Sequence, residues 1–461
     1  MFERLLQPEI DELIEKRDLG TLQEVISEWF PAEIADLIES LPPEIDVVVF
    51  RLLARDLAAD VFEYLSLQKQ EQLLHSLAKD HKLLTDLMND LSPDDRTALF
   101  EELPGAVTQQ LLRLLTPEEH NVAVTLLGYP EDSVGRLMTP DYVAVRSEWD
   151  IAKSLMHIRR YGKDSETLNV VYVVDHRNHL LDDLRIREIL LAEPDTKIAD
   201  LMDRHFITLK ATDDRETAVQ IFHDYSRFAL PVTDSSGILV GIVTIDDVLV
   251  VAQEEATEDM QKIGGVDPLE YPYFDTSFLA LIKKRGLWLI LLFLGEMITA
   301  SAMGYFEDEI ARVVVLALFI PLIISSGGNS GSQAATLVIR ALAVGEFTLR
   351  DWWPVMKREL LSGMTLGCML GLIGVLRVAA WQWLFQVYGE HWLMLALTVG
   401  FSLTGVVLLG VLAGSMLPFL LKKLGADPAV SSAPFIATFV DVTGLVIYFT
   451  IAAMLLSGAL L

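Results

Sequence analysis

The sequence predicts a multi-domain membrane protein: an all-α helical N-domain (a superhelical solenoid), tandem α+β domains, a connecting helix and a five-helix transmembrane domain. Three observations predict this architecture. Helix-start motifs recur through residues 1–128, a strand-and-helix pattern occurs twice within residues 129–250, and five apolar segments occupy residues 286–461. Residues 251–285 form the connector.

Charge is divided along the chain in the same way as hydrophobicity. The formal net charge is −29, yet from Gly286 onward there are only 10 acidic and 8 basic residues. This division indicates an acidic, water-soluble part followed by a membrane part. The acidity argues against nucleic acid as a partner and allows small cations. Cys368 is the single cysteine, so no disulfide within the chain is possible.

The N-domain contains similar segments at a spacing of roughly 25 residues, beginning at Leu41, Leu65, Leu91 and Leu114. Several of them start with Ser or Thr followed by proline and acidic residues. These residues cap a helix, fix its first φ angle and place negative charge at its positive end. Apolar residues then follow at helical spacing, which predicts stacked helical hairpins.

Residues of about 137–192 and 201–250 share a β-α-β-β-α pattern, in which Leu137-Met138-Thr139 is matched by Leu201-Met202-Asp203. This duplication resembles a tandem pair of CBS domains, a regulatory module that commonly binds ATP or another adenosine nucleotide. In the second copy, Thr244 and Asp247 would suit the ribose and phosphate of such a nucleotide. The first copy has Arg-Ile-Arg-Glu at 185–188 instead.

The apolar segments lie at about 286–305, 312–340, 359–387, 391–421 and 429–460. Each reaches the roughly 20 residues needed to cross the hydrocarbon core of a bilayer. Lys and Arg precede the first segment, lie between the second and third, and follow the fourth. The positive-inside rule therefore predicts a multi-pass protein of the cytoplasmic (inner) membrane, with cytoplasmic N-terminal domains and the C-terminus outside. The charged N-terminus, which lacks a signal-type apolar core, agrees with this orientation.

Asp441 lies in the fifth apolar segment, with no basic residue between Lys423 and the end of the chain. An ionised carboxylate facing lipid is costly, so it should face a partner or a wet cavity. A protonated Asp bonded to a neighbouring helix is the alternative. Without His or Cys nearby, oxygen ligands favour a hard cation, and Mg²⁺ is usually held by one or two carboxylates while keeping several waters. Two copies of Asp441 on a dimer axis would balance one dication, which predicts a symmetric homodimer with an axial pore.

Two further features of the membrane part carry polar groups. The second segment contains Pro321, three glycines and a polar cluster that includes Asn329. Interrupted helices of this kind line cavities in transporters, although Gly and Ser also allow close helix packing. Glu296, in the first segment, is predicted nearer the outer half. There it could guide ions, take up protons or hydrogen-bond within the bundle.

Most acids of the soluble part are expected on solvated helix faces, but three clusters could bind cations. They comprise Asp94 and Asp95, then Asp214, Glu216 and Asp247, then Glu255, Glu258 and Asp259. The last three share one helix face, where like charges repel unless a cation bridges them. Acidic surfaces that meet only when dications neutralise them would sense the dication concentration.

The whole chain resembles the MgtE family of magnesium channels. The most specific stretches are EEATEDMQKIGGVD from Glu254, GGNSGSQAATLVIRALA from Gly327 and DPAVSSAPFIATFVDVTGLVIY from Asp427. The resemblance implies a homodimer in which Asp441 is the principal ligand for hydrated Mg²⁺. Carbonyls around Ala437 would contribute to the same site.

The resemblance also implies gating by intracellular Mg²⁺. The ion would bridge the N-domain, the CBS domains and the connecting plug helix, which runs from residue 251 to about 272, and hold the pore shut. The bridging acids would be those named above other than Asp95. Family members can carry acids where this chain has Ser226 and Val250, which implies fewer or weaker sensor sites here.

The predicted function is a magnesium-selective channel or transporter with Mg²⁺ influx driven by the membrane potential; Mn²⁺, Co²⁺ and Ni²⁺ are candidate further ions. At 100 mV the potential favours inward movement of a dication by roughly 4.6 kcal/mol. No phosphate-binding GKS or GKT loop and no nucleophile–base pair indicates an enzyme. The rivals are a proton- or sodium-coupled exchanger using Glu296 with Asp441, and a membrane-anchored CBS sensor that moves no ion.

Overall fold

The computed structural model describes residues 10, 12–14, 16, 18–43, 45–78, 80–269, 271–274 and 276–456. The first nine residues of the predicted N-domain and the end of the fifth predicted segment, 457–460, lie outside the described residues. The chain divides into two compact units, Met1–Gln253 and Glu254–Leu461.

The first unit begins with short helices, as the helix-start motifs predict. They are α1 (Leu19–Ile26), α2 (Pro31–Ser40), α3 (Ile45–Phe50), α4 (Arg55–Glu63), α5 (Leu67–Leu77), α6 (His81–Asp90), α7 (Pro93–Glu102), α8 (Gly105–Leu112) and α9 (Pro117–Leu127). The hydroxyl of Thr116 accepts from the Glu119 amide and so caps α9, which has proline in its first turn. Helices two apart in sequence pack together, such as α2 on α4 and α7 on α9. The helical N-domain is therefore confirmed.

Two three-stranded sheets follow, and they have the same topology. Their strands are β1 (Ala144–Arg146), β2 (Val170–Val174), β3 (Leu180–Arg185), β4 (Leu209–Lys210), β5 (Ala229–Thr233) and β6 (Leu239–Thr244). In each sheet the first strand is parallel to the second and the second is antiparallel to the third, with Val145 opposite Val173 in one copy and Leu209 opposite Val232 in the other. The predicted α+β duplication is thus confirmed.

The two copies exchange their first helices. The helices of this region are α10 (Val134–Leu137), α11 (Ile151–Tyr161), α12 (Ile186–Leu191), α13 (Ile198–Leu201) and α14 (Arg215–Tyr225). Val134 of α10 is buried in the core of the second copy, with Leu230 and Val243. Ile198 of α13 is buried in the core of the first, with Val171. The matched motifs at Leu137 and Leu201 therefore each pack into the other copy.

The connector and the membrane part are helical. They comprise α15 (Ile245–Ile263), α16 (Phe278–Tyr305), α17 (Glu307–Arg312), α18 (Ile320–Ala343), α19 (Trp352–Phe385), α20 (Trp392–Lys423) and α21 (Ala433–Leu456), with 3-10 turns at Val314–Phe319, Leu349–Asp351 and Pro428–Val430. Among the described residues five spans are long and apolar enough to cross a membrane, which confirms the predicted number. The longest helix, α19, measures about 51 Å at 1.5 Å per residue, so part of it extends beyond the hydrocarbon.

The interpretation of Pro321 and the glycines of the second segment as a helix interruption is wrong. Helix α18 is continuous from Ile320 to Ala343, and Pro321 stands in its first turn, where a missing N–H leaves no bond unmade. Pro434 likewise lies in the first turn of α21. The glycines of α18 serve close packing instead, because a Cβ at Gly331 would lie 2.8 Å from the Gly410 carbonyl oxygen.

A substitution in helix α20 tests this close packing directly. A Cβ at Gly414 would lie 2.1 Å from the Gly331 carbonyl oxygen, so Gly414→Ala should push α18 and α20 apart. We expect a loss of about 1–3 kcal/mol of stability, measured by thermal unfolding in detergent or nanodiscs. Gly405→Ala in the same helix is the matched control, since its Cβ would lie 3.4 Å from Ile447, an ordinary contact. Equal stability of the two variants would contradict the packing described here.

Candidate ion sites

Measured from the start of α21 with a rise of 1.5 Å per residue, Asp441 lies about 12 Å along the helix. Ile436, Val440 and Leu445 are buried in the membrane core, whereas Asp441 keeps partial exposure. The helix packs on α16, α18 and α20. The carboxylate therefore lies at the edge of the buried face, within the membrane-spanning part of the helix.

A polar stripe runs along α18 beside this region. Ser325, Asn329, Gln333 and Thr336 are all exposed, and their spacing places them on one face of the helix. A Cβ at Gly328 would lie 3.4 Å from the Ala437 Cα, so the turn that carries Asn329 packs against the turn that precedes Asp441. The structure thus brings the three predicted pore residues onto neighbouring turns; their role as ion ligands stays a prediction.

Glu296 is a neighbour of Asp441, and its carboxyl group lies within hydrogen-bonding reach of the Asp441 carboxyl group. Its position nearer the outer half of the membrane stays a prediction. The two helices meet closely there, because a Cβ at Gly295 would lie 2.6 Å from the Thr438 Cγ2.

The first unit contains a second group of carboxylates, here called the acidic cluster: Asp94, Asp95, Glu166, Asp246 and Asp247. Asp94 is only 7% exposed, and its Oδ1 has no hydrogen-bond partner. Burial raises its pKa well above the usual value, and the charges of Asp247, Asp95 and Glu166 raise it further. The chain therefore places negative charge where water cannot fully solvate it.

The pKa values of the neighbouring acids are raised as well. Burial raises the pKa of Asp247 to about 7, although the Thr244 hydroxyl donates to its Oδ2 at 2.5 Å. Burial also raises the pKa of Asp95, whose Oδ2 accepts from the Ser92 hydroxyl. The pKa of Glu166 is raised by burial and by Asp246. Burial raises the pKa of each of these groups because it disfavours the ionised form, so protons or cations should stabilise the cluster.

The acidic cluster is not a preformed metal cage. Within the part of the chain that the structure describes, no three His, Cys, Asp or Glu side chains stand close enough to hold a metal ion together. A dication bound there would keep water in its coordination shell, as Mg²⁺ usually does. Sequence reasoning did not assign Glu166, because nothing in its local sequence shows that it reaches Asp95.

The predicted sensor acids Asp214 and Glu216 have a local structural role. Asp214 caps α14, and its Oδ1 accepts from the Glu216 amide at 2.9 Å. Glu216 lies in the first turn of that helix, where negative charge is favourable. Their role as cation ligands stays a prediction.

The connecting helix carries its own charged group. Lys262 Nζ contacts Asp427 Oδ2 at 2.6 Å and also pairs with Glu258. Burial raises the pKa of Asp259 to about 6, and the charge of Asp427 raises it further; Glu255 contributes in the same direction. The ammonium of Lys262 thus occupies a cation position among these acids. Asp427 was not assigned from sequence, since it lies 165 residues from Lys262.

The first copy of the tandem domains buries two polar atoms that lack a hydrogen-bond partner, one of which takes part in an ion pair. The Tyr172 hydroxyl and Asp183 Oδ2 are buried without a hydrogen-bond partner, and the two residues are opposite each other on β2 and β3. Arg227 Nη1 lies 3.4 Å from Asp183 Oδ2. Such groups fit the polar parts of a nucleoside ligand. By contrast, Thr244 and Asp247 are bonded to each other within the acidic cluster, where a phosphate would be repelled.

The acidic cluster makes stability depend on pH and on dications. Asp94 and Asp247 hold protons in the folded state at a pH where unfolded Asp, with a pKa of about 3.9, releases them. Without Mg²⁺, stability should therefore fall as pH rises between about 4 and 7, the value near which Asp247 titrates. Asp94→Asn should raise the unfolding temperature at pH 8 by about 2–4 °C and shrink the increase caused by Mg²⁺.

Scanning fluorimetry of the full chain in nanodiscs measures this effect. The exposed Asp200 supplies the control variant Asp200→Asn, which should behave like wild type. An unfolding temperature that ignores both Mg²⁺ and the Asp94 substitution would contradict the interpretation of the cluster.

Comparison with known proteins gives consistent matches. A family model described as "Divalent cation transporter" (MgtE) matches residues 320–451, the "MgtE intracellular N domain" matches 29–132, and a CBS domain matches 198–254. The magnesium transporter MgtE of Thermus thermophilus is 38% identical and is aligned over 99% of this chain and 100% of its own length. That of Bacillus subtilis is 30% identical over 95% of both chains.

Solved structures resemble the first part of the chain. The cytosolic domain of the Mg²⁺ channel MgtE in complex with ATP is 35% identical, with a TM-score of 0.50, covering 52% of this chain and 98% of that one. The soluble part of a magnesium transporter is 27% identical, again with a TM-score of 0.50, covering 54% of this chain and 96% of that one.

Proposed function

Because this chain belongs to the MgtE family of magnesium transporters, we propose that it carries Mg²⁺ across the membrane along a path past Asp441. The observation that carries the proposal is a partly exposed carboxylate inside a membrane helix, beside the polar stripe of α18. None of the ion pairs among the described residues includes Asp441, so no basic side chain neutralises it. A cation is the natural counter-charge.

The path would lie on the axis of a homodimer. Ser325, Asn329 and Gln333 are exposed on a single chain, and polar side chains at membrane depth need water or another protein surface. A second copy facing this stripe would enclose it. Two Asp441 side chains could then hold one dication through its water shell, with the carbonyl of Ala437 contributing.

The acids outside the membrane would regulate the path. The acidic cluster of the first unit and the connecting-helix group of Glu255, Glu258, Asp259 and Asp427 both carry unfavourable negative charge. Mg²⁺ binding would stabilise the arrangement in which these acids are close. If that arrangement is the closed state, internal Mg²⁺ shuts the pore. Asp214, which caps α14, and Glu216, in the first turn of that helix, would act only as weaker sites.

An adenosine nucleotide would bind to the tandem domains. The support from the structure is the Tyr172 hydroxyl, which is buried without a hydrogen-bond partner, and the neighbouring ion pair of Asp183 with Arg227. A relative's cytosolic domain has been solved with ATP. Thr244 and Asp247 remain a predicted contact for the same ligand, although their acidic surroundings suit a cation better than a phosphate.

The direction of Mg²⁺ movement follows from the orientation of the chain in the membrane. Basic residues precede the first membrane segment, lie between the second and third, and follow the fourth, so the first unit would be cytoplasmic and the C-terminus outside. An inside-negative potential of 100 mV would then favour Mg²⁺ influx by roughly 4.6 kcal/mol. No hydrolysis step is required.

Mg²⁺ uptake into proteoliposomes at imposed potentials tests the transport proposal. We expect uptake that rises as the inside becomes more negative and that needs no sodium or proton gradient. The contact between Glu296 and Asp441 favours a second candidate, an exchanger that couples Mg²⁺ to protons or sodium. Uptake that requires such a gradient would support the exchanger, and no uptake at low internal Mg²⁺ would overturn both.

A further inference from the structure

We infer that Glu296 is the second ion-binding carboxylate of the membrane site, acting with Asp441 to favour dications over monovalent cations. The inference deepens the proposed function and rests on it. It starts from a contact between two carboxyl groups on different membrane helices, at the same depth of the membrane part.

The backbone fixes this contact. Gly295 allows α16 to approach α21 closely, since a Cβ there would lie 2.6 Å from the Thr438 Cγ2. Glu296 follows Gly295 directly, and Asp441 lies three residues after Thr438, so both acids lie within one turn of this close contact. Helix packing therefore brings the two side chains within reach of each other.

The surroundings of Glu296 point to a ligand. Its side chain is exposed on the single chain although it lies at membrane depth, where facing lipid is unfavourable. An apolar groove of about 430 Å³ lies along the same pair of helices, and neither carboxyl lines it. One turn farther along the same face of α16, Thr299 is 8% exposed and its hydroxyl has no hydrogen-bond partner.

Two ionised carboxylates in contact repel each other unless they share a proton or a cation binds beside them. Among the described residues, no Lys, Arg or His forms an ion pair with either Glu296 or Asp441. A hydrated Mg²⁺ supplies the missing charge, and one or two carboxylates are what this ion uses in proteins. The unpaired Thr299 hydroxyl could accept a hydrogen bond from its water shell.

The second carboxylate has a consequence for selectivity. The attraction between a site and an ion scales with the product of their charges, so an added negative charge stabilises a dication about twice as much as Na⁺ or K⁺. Glu296 should therefore increase the occupancy of the site by Mg²⁺ at low concentration. Its effect should appear first in the concentration dependence of uptake rather than in the maximal rate.

The test uses the full chain in proteoliposomes, with Glu296→Gln, Glu296→Asp and wild type. We expect Glu296→Gln to raise the Mg²⁺ concentration for half-maximal uptake at least about tenfold and to reduce discrimination against Na⁺. Glu296→Asp should restore most of the wild-type behaviour, because it keeps the charge. Glu359→Gln, which removes a carboxylate from α19 without touching this pair, is the matched control.

Each outcome decides a different point. If Glu296→Gln behaves like wild type, the inference is overturned. It is also overturned if Glu296→Gln preserves selectivity while Glu296→Asp does not, because Glu296 would then act by hydrogen bonding alone. If wild type does not transport, or Asp441→Asn transports like wild type, the proposed function itself has failed. Normal folding is checked by size-exclusion profile and unfolding temperature for every variant.

Discussion

Replacing Asp441 by asparagine should lower Mg²⁺ uptake at least about tenfold, the effect of losing roughly 1.4 kcal/mol of ion stabilisation. Asparagine keeps the shape and an oxygen ligand but removes the charge, so the loss measures electrostatics rather than packing. The position supports a specific effect, because Asp441 is partly exposed while its neighbour Val440 is buried. Proteoliposome uptake at low internal Mg²⁺ is the measurement.

The control for this substitution is Asp308→Asn in α17, an acid in the connection between two membrane spans. It should transport at the wild-type rate. A folded Asp441→Asn protein with unchanged uptake and unchanged selectivity would move the ion site elsewhere, and the polar stripe around Asn329 would be the next place to test.

The second large effect concerns the inhibition of uptake by internal Mg²⁺. The double variant Asp94→Asn with Asp247→Asn should reduce uptake at low internal Mg²⁺ and lower the internal Mg²⁺ concentration that half-inhibits uptake at least about tenfold. Asp94 is buried and Asp247 is partly buried in the acidic cluster, where the charge of Asp247 raises the electrostatic cost of ionising Asp94. Without those charges the closed arrangement no longer depends on a bound dication.

Uptake would be measured over a series of internal Mg²⁺ concentrations, with Asp200→Asn as the exposed control. Unchanged inhibition in the double variant would show that the acidic cluster does not sense Mg²⁺. The connecting-helix acids around Asp259 would then be the remaining candidates, because they form a separate charged group with Lys262 and Asp427.

Features encoded in local sequence were predicted well. Helix starts such as Thr116-Pro117, the repeated strand pattern and the five apolar spans depend on neighbouring residues, and the structure contains them all. The glycines of α18 were misinterpreted as interruptions, because a sequence shows poor helix formers without showing the carbonyl of α20 that only a glycine can approach.

Contacts between distant segments could not be predicted in this way. The exchange of α10 and α13 depends on which core has room for each short helix. The contact of Glu296 with Asp441 depends on where α16 meets α21, which the local sequence of either helix does not show. Glu166 joins the acidic cluster through tertiary folding alone.

The central claim is that a hydrated dication is held beside Asp441. The most direct test is structure determination of the full chain with Mn²⁺, whose anomalous scattering reveals its position in the crystal. The account predicts a peak at Asp441 and Glu296, shared by two chains on a symmetry axis and separated from the carboxylates by a water shell. Peaks only at the acids outside the membrane, with Asp441 bonded to protein groups and α18 facing lipid, would contradict it.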